Sequence, residues 1–345
     1  MKVAILHSEV PEAASWDEQD VLVQVAVVSQ ALIHLGYVPA AVPFSARMER
    51  TIQDLKEIGP AWIFNLVETV EGRGRFIHLA PLILDLLNIP YTGNATDAVH
   101  ATSNKRLAKS LMVEYGIPTP PWFTLSAISE EPENIEGRFI IKSVWEHASV
   151  GLDEDSVMRY PDGDSLRREM ERRCERLGGE CIAEQYIEGR EFNLSLLANE
   201  NGAEVLPPAE IHFENYPSDK TRVVGYRAKW DADSFEYHHT PRSFDFPETD
   251  QPLLQRLCNL AQRCWKRFHL RGYVRVDFRA DHEGRPWVLE INTNPCLSPD
   301  SGFTAATRQA GLSIEDVIRR IIQDSIPDGA GGILRDNENP MAAAQ

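Results

Sequence analysis

Asp277, Glu290 and Asn292 are three oxygen-bearing side chains within one stretch, Arg271 to Ser301, that reads as two strands and a tight turn. In the first strand Val274, Val276 and Phe278 alternate with Arg275, Asp277 and Arg279. In the second, Trp287, Leu289 and Ile291 alternate with Glu290 and Asn292. Successive strand side chains point to opposite faces, so each strand has an apolar face and a polar one. With Glu283-Gly284 as a two-residue loop, Asp277 faces Glu290 and Arg275 faces Asn292. Opposed carboxylates repel unless a cation or proton lies between them. A hard divalent ion resolves the conflict, and Mg²⁺ takes a few carboxylates together with phosphate oxygens. An ordinary half-exposed hairpin with solvated charges is the competing reading. Against it stand the all-oxygen donor set and the turn at Thr293-Asn294-Pro295, which can bring backbone N–H groups to the same place.

Lysines elsewhere could supply the anion-binding half of such a site. Lys105 starts a helix, Lys142 ends the apolar run Phe139-Ile140-Ile141, and Lys229 lies between aromatic-rich loops. Most lysines are solvated surface charges. Lys142 differs, because a buried ammonium needs an anionic partner, and a nucleotide phosphate would serve. The following Ala148-Ser149-Val150-Gly151 loop can wrap phosphate through backbone N–H groups and Ser149. Glu184, at the polar end of Cys181-Ile182-Ala183, and Glu191, beyond the turn at Glu188-Gly189, can accept from an adenine amino group or ribose hydroxyls; surface salt bridges are the alternative for each. GxxxxGK[ST] is absent, and no GxGxxG follows the first strand.

The elements that must position these groups follow from periodicity. Strands at Lys2–His7, Tyr37–Val42 and Ala61–Leu66 alternate with helices over about 17–35, 48–58 and 76–87, which predicts a small doubly wound parallel sheet over residues 1–101. Its strand ends carry His7-Ser8-Glu9 and Val67-Glu68-Thr69, where such sheets bind ligands. Residues 102–187 begin with a helix capped by Ser103 or Asn104 and hold the Lys142 strand, a charged helix over 164–177 and the strand ECIAEQYI. Residues 188–327 hold further strands, loops over 213–245 in which 223–230 alternates loosely, a helix from a Thr249 cap to His269, the hairpin, and helices near 302–310 and 313–325. Leu257, Leu260, Ala261, Cys264 and Phe268 form an apolar stripe that belongs in a core. The class is therefore α/β, turning α+β in the C-terminal half, with a Gly-, Asn- and Ala-rich tail over 328–345 expected to be disordered.

Composition narrows the partners. The 345 residues carry a formal net charge of −17, opposite to the basic footprint of a nucleic-acid binder. An anionic ligand therefore needs a local basic pocket. Five cysteines without a CxxC pair read as reduced thiols. MKVAILHSEV has too short an apolar run for a signal peptide, and no apolar stretch reaches bilayer length, so a cytoplasmic protein without membrane contact is expected.

Taken in order, these residues resemble the ATP-grasp superfamily, and within it the D-alanine–D-alanine ligase family. The most specific part is LEINTNPCLSPDSGFTAATRQAG, where Glu290, Asn292, Pro295, Ser301, Ala306 and Arg308 look like that family's metal and second-substrate segment. Val274-Arg275-Val276-Asp277 looks like its arginine–aspartate strand. Ile140-Ile141-Lys142 and Ser149-Val150-Gly151 are similar to its phosphate lysine and loop, Glu184 with Gly189-Arg190-Glu191-Phe192 to its hinge and ribose carboxylates, and Ala228-Lys229 to its second phosphate lysine. Pro90-Tyr91-Thr92-Gly93 looks like the end of its N-terminal domain.

The resemblance implies an ATP-grasp fold and an ATP-dependent carboxylate–amine ligase joining amino acids or small peptides through an acylphosphate. It implies an ATP site of Lys105, Lys142, Ser149, Glu184, Gln185, Ile187, Glu191 and Lys229. It also implies two Mg²⁺ ions, or Mn²⁺ in their place, on Asp277, Glu290 and Asn292. Arg275, Lys229 and Ser149 take catalytic roles, with Arg275 and a backbone N–H near Cys296 at the oxyanion. Ser301, Cys296, Glu68 and Trp230 fall in the substrate region, with Ser301 holding the incoming amino acid's carboxylate. A homodimer is an expectation on the same ground.

Departures cluster where the family recognises its first D-alanine through a Glu–Ser–Tyr set. Ala148 stands at the serine position, Trp230 at the tyrosine, and Cys296 at the glycine after the proline. Val67-Glu68 replaces His-Gly, and no one of Glu9, Glu12 and Glu18 clearly matches the glutamate. A genuine D-alanine–D-alanine ligase, a nucleotide-binding regulator without turnover and a phosphotransferase of the same fold are the rival expectations.

Overall fold

The computed structural model describes residues 1–326 except 13, 147–151 and 153–155. The loop expectation at Ala148, Ser149, Val150 and Gly151 and the tail over 328–345 lie outside the described residues.

A continuous apolar run makes β1 (Lys2–Ser8) buried on both faces, as a strand inside a parallel sheet must be. It pairs in parallel with β2 (Val38–Phe44) and β3 (Ile63–Leu66), in the order β2-β1-β3. The helices α1 (Trp16–His34), α2 (Met48–Ile58) and α3 (Leu79–Leu87) complete the alternation. Ser15 and Glu18 set the start of α1, with the Ser15 N–H donating to Glu18 Oε2 at 2.9 Å. The expected third strand began at Ala61, whereas β3 begins at Ile63.

Two helices follow, α4 (Thr96–Ser103) and α5 (Lys105–Glu114). Asn104 caps α5 by accepting from the Leu107 N–H at 3.1 Å, and this fixes Lys105 at the first turn. A four-stranded antiparallel sheet comes next, from β4 (Trp122–Phe123), β5 (Gly137–Ser143), β6 (Val157–Tyr160) and β7 (Cys181–Gln185), in the order β4-β7-β5-β6. The helices α6 (Leu125–Glu130) and α7 (Gly163–Cys174) close its apolar face around Ile128, Leu166 and Met170.

The largest sheet holds β8 (Gly189–Asn199), β9 (Gly202–Val205), β10 (Ala209–Ile211), β11 (Arg242–Ser243), β12 (Tyr273–Asp281) and β13 (Pro286–Asn292). Its order is β11-β10-β8-β12-β13, with β9 on β8. Two short helices, α8 (Tyr226–Trp230) and α9 (Phe235–His238), lie between β10 and β11. The loose alternation over 223–230 thus gave the wrong period, because tertiary packing overrides so short a signal. α10 (Gln251–Arg267) buries Leu257, Leu260, Ala261 and Cys264 against β8, β12 and β13, with Phe268 just beyond its end. Its first residue follows Asp250, not Thr249, since a 3-10 turn over Glu248–Asp250 takes up the expected first turn. The chain closes with α11 (Gly302–Gln309) and α12 (Ile314–Ser325), the latter capped by Ser313 and Asp316.

The hairpin has the expected facing pairs but reaches them differently. Asp277 pairs with Glu290 and Arg275 with Asn292. The loop is His282-Glu283-Gly284, closed by the Asp281 N–H donating to the Arg285 carbonyl at 3.1 Å. Gly284 takes φ 73°, the left-handed position that ends such a three-residue loop. The extra loop residue moves the register by one, so Phe278 pairs with Val288. A bulge at Leu289 moves it back before Asp277 is reached. Val288 and Ile291 therefore both enter the core although three residues apart, and Leu289 does not share their face as simple alternation predicted.

Candidate active site

A cleft lies between the two antiparallel sheets. Its walls carry Lys105, Lys142, Glu184, Gln185, Ile187, Glu191, Lys229, Asp277 and Glu290, all anticipated from the sequence, together with Leu289, Arg279 and Tyr186. Residues from α5, β5, β7, α8, β12 and β13 thus converge although they are far apart in the chain.

Lys142 is the last residue but one of β5, and its Nζ donates to Glu184 Oε1 at 2.6 Å. Its anionic partner is therefore a side chain of β7, not only an incoming phosphate. Lys109, one helical turn beyond Lys105, pairs with the other Glu184 oxygen. The side chains of Lys109 and Glu184 are 1% and 2% exposed. Burial alone would raise the Glu184 carboxyl, but the two lysines pull it below its ordinary value. Lys109 also donates to Thr119 Oγ1, which donates to the Val288 carbonyl, both at 2.8 Å. This chain of bonds ties α5 and β7 to β13. Lys109 was absent from the expected site. Its spacing of four from Lys105 was the available signal, and the surface-charge prior for lysine hid it.

Glu290 is the common counter-charge. It raises the pKa of Lys105, Lys229 and Arg275, while burial pulls both lysines below their ordinary range. Lys105 Nζ donates to the Glu146 carbonyl at 2.5 Å. Arg275 grips Asp277 with two bonds, Nε to Oδ1 at 2.7 Å and Nη2 to Oδ2 at 2.8 Å. Asn193 Nδ2 adds a third to Oδ1 at 2.8 Å. Asn292 Oδ1 accepts from the Asn294 N–H at 3.0 Å. Among the described residues no group of three or more His, Cys, Asp or Glu is arranged to hold a metal. The donors here are two carboxylates and an amide oxygen, which suit a hard divalent cation that completes its shell with phosphate or water oxygens.

Glu191, the expected ribose acceptor, is held by an arginine. Arg279 donates to it at 2.7 Å and to the Tyr186 hydroxyl and Ile187 carbonyl at 3.0 Å each. Arg279 also bonds the Arg222 carbonyl and so fixes the wall where Gln185 and Ile187 lie.

Glu68, Cys296 and Ser301, expected to contact substrate, are linked to one another through α1 and the segment after β13. The Ser8 hydroxyl accepts from the Glu68 and Thr69 N–H groups at 3.0 Å each, joining the ends of β1 and β3. Gln24 donates to Glu68 Oε1 at 2.7 Å. Burial, with repulsion from Asp20 and Asp17, pushes the Glu68 carboxyl up to about 7 against the pull of Gln24 and Arg275. Cys296 Sγ donates to Asp20 Oδ2 at 3.0 Å, and burial with Glu68 and Asp20 nearby keeps the thiol protonated. Ser298 Oγ donates to the other Asp20 oxygen at 2.7 Å. Tyr226 OH donates to Asp17 at 2.8 Å and brings α8 to α1. Trp230 ends α8, and its Nε1 is buried without a partner among the described residues. Ser301 caps α11 by accepting from the Thr304 N–H at 3.2 Å.

The family model for the D-ala D-ala ligase C-terminus matches residues 111–323. An uncharacterised protein of Sinorhizobium fredii is 28% identical over 260 residues, 75% of this chain and 73% of its own length. A D-alanine–D-alanine ligase of Bordetella pertussis is 29% identical over 282 residues, 80% of this chain and 82% of its own. The crystal structure of a D-alanine–D-alanine ligase from Bacillus anthracis superposes with a TM-score of 0.70 at 21% identity, covering 94% of this chain and 96% of that one. Among the described residues no helix is long and apolar enough to cross a membrane.

Proposed function

From a chain that belongs to the D-alanine–D-alanine ligase family and carries its ATP-grasp fold, we propose an ATP-dependent ligase that joins the carboxylate of one amino acid or small peptide to the amine of another. One observation carries the proposal. Lys105, Lys142 and Lys229 line the same cleft as Asp277 and Glu290, so polyphosphate-binding cations and hard-metal donors share one space.

In this reading the lysines hold the phosphates, and Glu184, Gln185, Ile187 and Glu191 hold adenine and ribose. Asp277, Glu290 and Asn292 would hold Mg²⁺, which supplies charge neutralisation on the phosphates. The donor carboxylate oxygen attacks the γ-phosphorus. That O–P bond forms as the bond to the bridging oxygen breaks, releasing ADP and leaving an acylphosphate. The acceptor amine attacks the acyl carbon and gives up a proton as the C–N bond forms, and the C–O bond to the phosphoryl group breaks, so inorganic phosphate leaves with that oxygen. Arg275, held in place by Asp277, stabilises the oxyanion of the tetrahedral intermediate. The sheets over 102–187 and 188–327 act as the two jaws, and residues 1–101 supply the donor pocket.

Asp20, Glu68 and Cys296 at that pocket favour a donor other than D-alanine, since a thiol bonded to Asp20 stands where the family has glycine. ADP release is measured with ATP, Mg²⁺ and amino-acid pairs, and new products are read by mass. Dipeptide from D-alanine alone would establish the family's own reaction. No ADP from any pair, with nucleotide still bound, would mean a nucleotide-binding regulator.

A further inference from the structure

A serine hydroxyl has one proton, and in Ser301 that proton is committed. It is donated to the Cys296 carbonyl at 2.7 Å, while the oxygen accepts from the Thr304 N–H and lies 3.1 Å from the Thr304 hydroxyl. A hydroxyl so engaged has nothing left to donate to an anion. The expected carboxylate contact therefore needs another donor.

Arg242 is placed to provide one. It comes from β11, and a Cβ built on Gly302 would lie 3.3 Å from its Nη2 and 3.7 Å from its Nε. The guanidinium thus lies against the residue that follows Ser301. Its Nε is buried and has no hydrogen-bond partner among the described residues. Burial and the like charge of Arg275 both act against the guanidinium, and the opposing carboxylate, Asp300, is exposed. Arg275 differs in already having a bidentate partner, Asp277. An arginine with an orphaned buried donor beside a second arginine is stabilised by an anion bound there. A planar carboxylate matches the guanidinium fork.

We propose that Arg242, not Ser301, holds the carboxylate of the amine-bearing substrate, so that this chain selects amines that carry a carboxylate. The assignment rests on the ligase reading above and deepens it. Gly302 is part of the device, because a side chain there would meet the guanidinium.

The test is steady-state ADP release with the standard amino acids and D-alanine as acceptors, each beside its own carboxamide. The unsubstituted enzyme should favour an active acid over its amide at least about tenfold in kcat/KM. Arg242→Ala should lower kcat/KM for the acid by about ten- to a hundredfold, through KM, as expected for a lost charged hydrogen bond. The value for the amide and the KM for ATP should hold, so the acid-to-amide ratio collapses towards one. Arg242→Lys should keep part of the preference. Equal losses for acid and amide, or an unchanged ratio, would overturn the assignment while leaving the ligase reading intact. Absence of ADP release with every acid would overturn the ligase reading and this assignment with it. Should Arg242→Ala unfold in urea earlier than the parent, Arg242→Gln and Arg242→Lys carry the same ratio test.

Discussion

Asp277 faces Glu290 only because Leu289 is bulged out of the ladder between β12 and β13. The bulge cancels the one-residue shift introduced by the His282-Glu283-Gly284 loop. On one side of it Val288 is in the core, and on the other Ile291 is. Inserting an alanine between Asp277 and Phe278 gives Leu289 a partner and removes the bulge. Regular alternation then puts Val288 and Ile291 on opposite faces, which forces a choice between burying both and keeping the carboxylates opposed on the polar face. Loss of one of these side chains from the core costs about 1.5–3 kcal/mol, and loss of the carboxylate pairing removes the proposed metal donors. The insertion should lower the urea midpoint and abolish ADP formation, whereas deleting Leu289, which leaves Phe278 opposite Val288 and Asp277 opposite Glu290, should cost far less stability. An insertion variant with the parent's Mg²⁺-dependent activity would show that the bulge does not set this register.

Lys109 is the deeply buried partner of a carboxylate on the cleft wall. Glu184 accepts from Lys109 on one oxygen and Lys142 on the other, and only the Lys142 end reaches water. Removing one partner of a buried pair costs about 3–5 kcal/mol because the remaining charge is left in low dielectric. Lys109→Met should lose stability of that order. Lys142→Met should lose less, since its side chain is 14% exposed. Urea melts of the two variants give the order directly. Equal or reversed losses would assign Lys109 no special structural part.

Much of this site was legible beforehand, for a definable reason. The paired carboxylates, the strand-end lysine and the late lysine each stood out because their polarity broke a local period. The groups that were missed obey no local rule. Lys109 lies on an ordinary amphipathic helix, and only the position of β7 turns it inward. Arg279 continues the expected alternation, yet its bonds to Tyr186, Ile187 and Glu191 depend on how β7, β8 and β12 are placed relative to one another. The hairpin is the instructive case. The facing residues were right while the loop length was wrong, because two one-residue shifts cancel and leave the ends in register.

Glu68 predicts the pH dependence. Its carboxyl sits at about 7 in the folded chain, against an ordinary value of 4.5. A carboxyl with a raised folded-state pKa favours folding while it is protonated. Between about 4.5 and 7 the folded chain then holds more proton at this site than the unfolded chain. Stability from this group is complete below that window and is lost as pH rises through it. Glu68→Gln should remove the dependence and be more stable than the parent at pH 8 by about 1–3 kcal/mol. Thermal melts across the window test the sign. A parent whose stability rises with pH there, relative to the variant, would contradict the burial of this carboxyl.

Glu290 separates charge from chemistry in the cleft. Its charge acts on three cations, Lys105, Lys229 and Arg275, and it is one of the three oxygen donors proposed for the metal. Glu290→Gln keeps the shape and removes the charge. Without Mg²⁺ the variant's cleft is more positive, so ADP measured in a chelator should bind as tightly as in the parent or tighter. With Mg²⁺ the order should invert, because an amide donates no charge to a hard cation. ADP release should fall by at least about a hundredfold, the scale seen when a transition-state charge partner is removed, with a higher Mg²⁺ requirement. The two assays pull in opposite directions only if the same carboxylate balances the lysines and holds the metal. Nucleotide binding that weakens in chelator, with Mg²⁺ dependence unchanged, would make Glu290 a structural counter-ion and move the metal elsewhere.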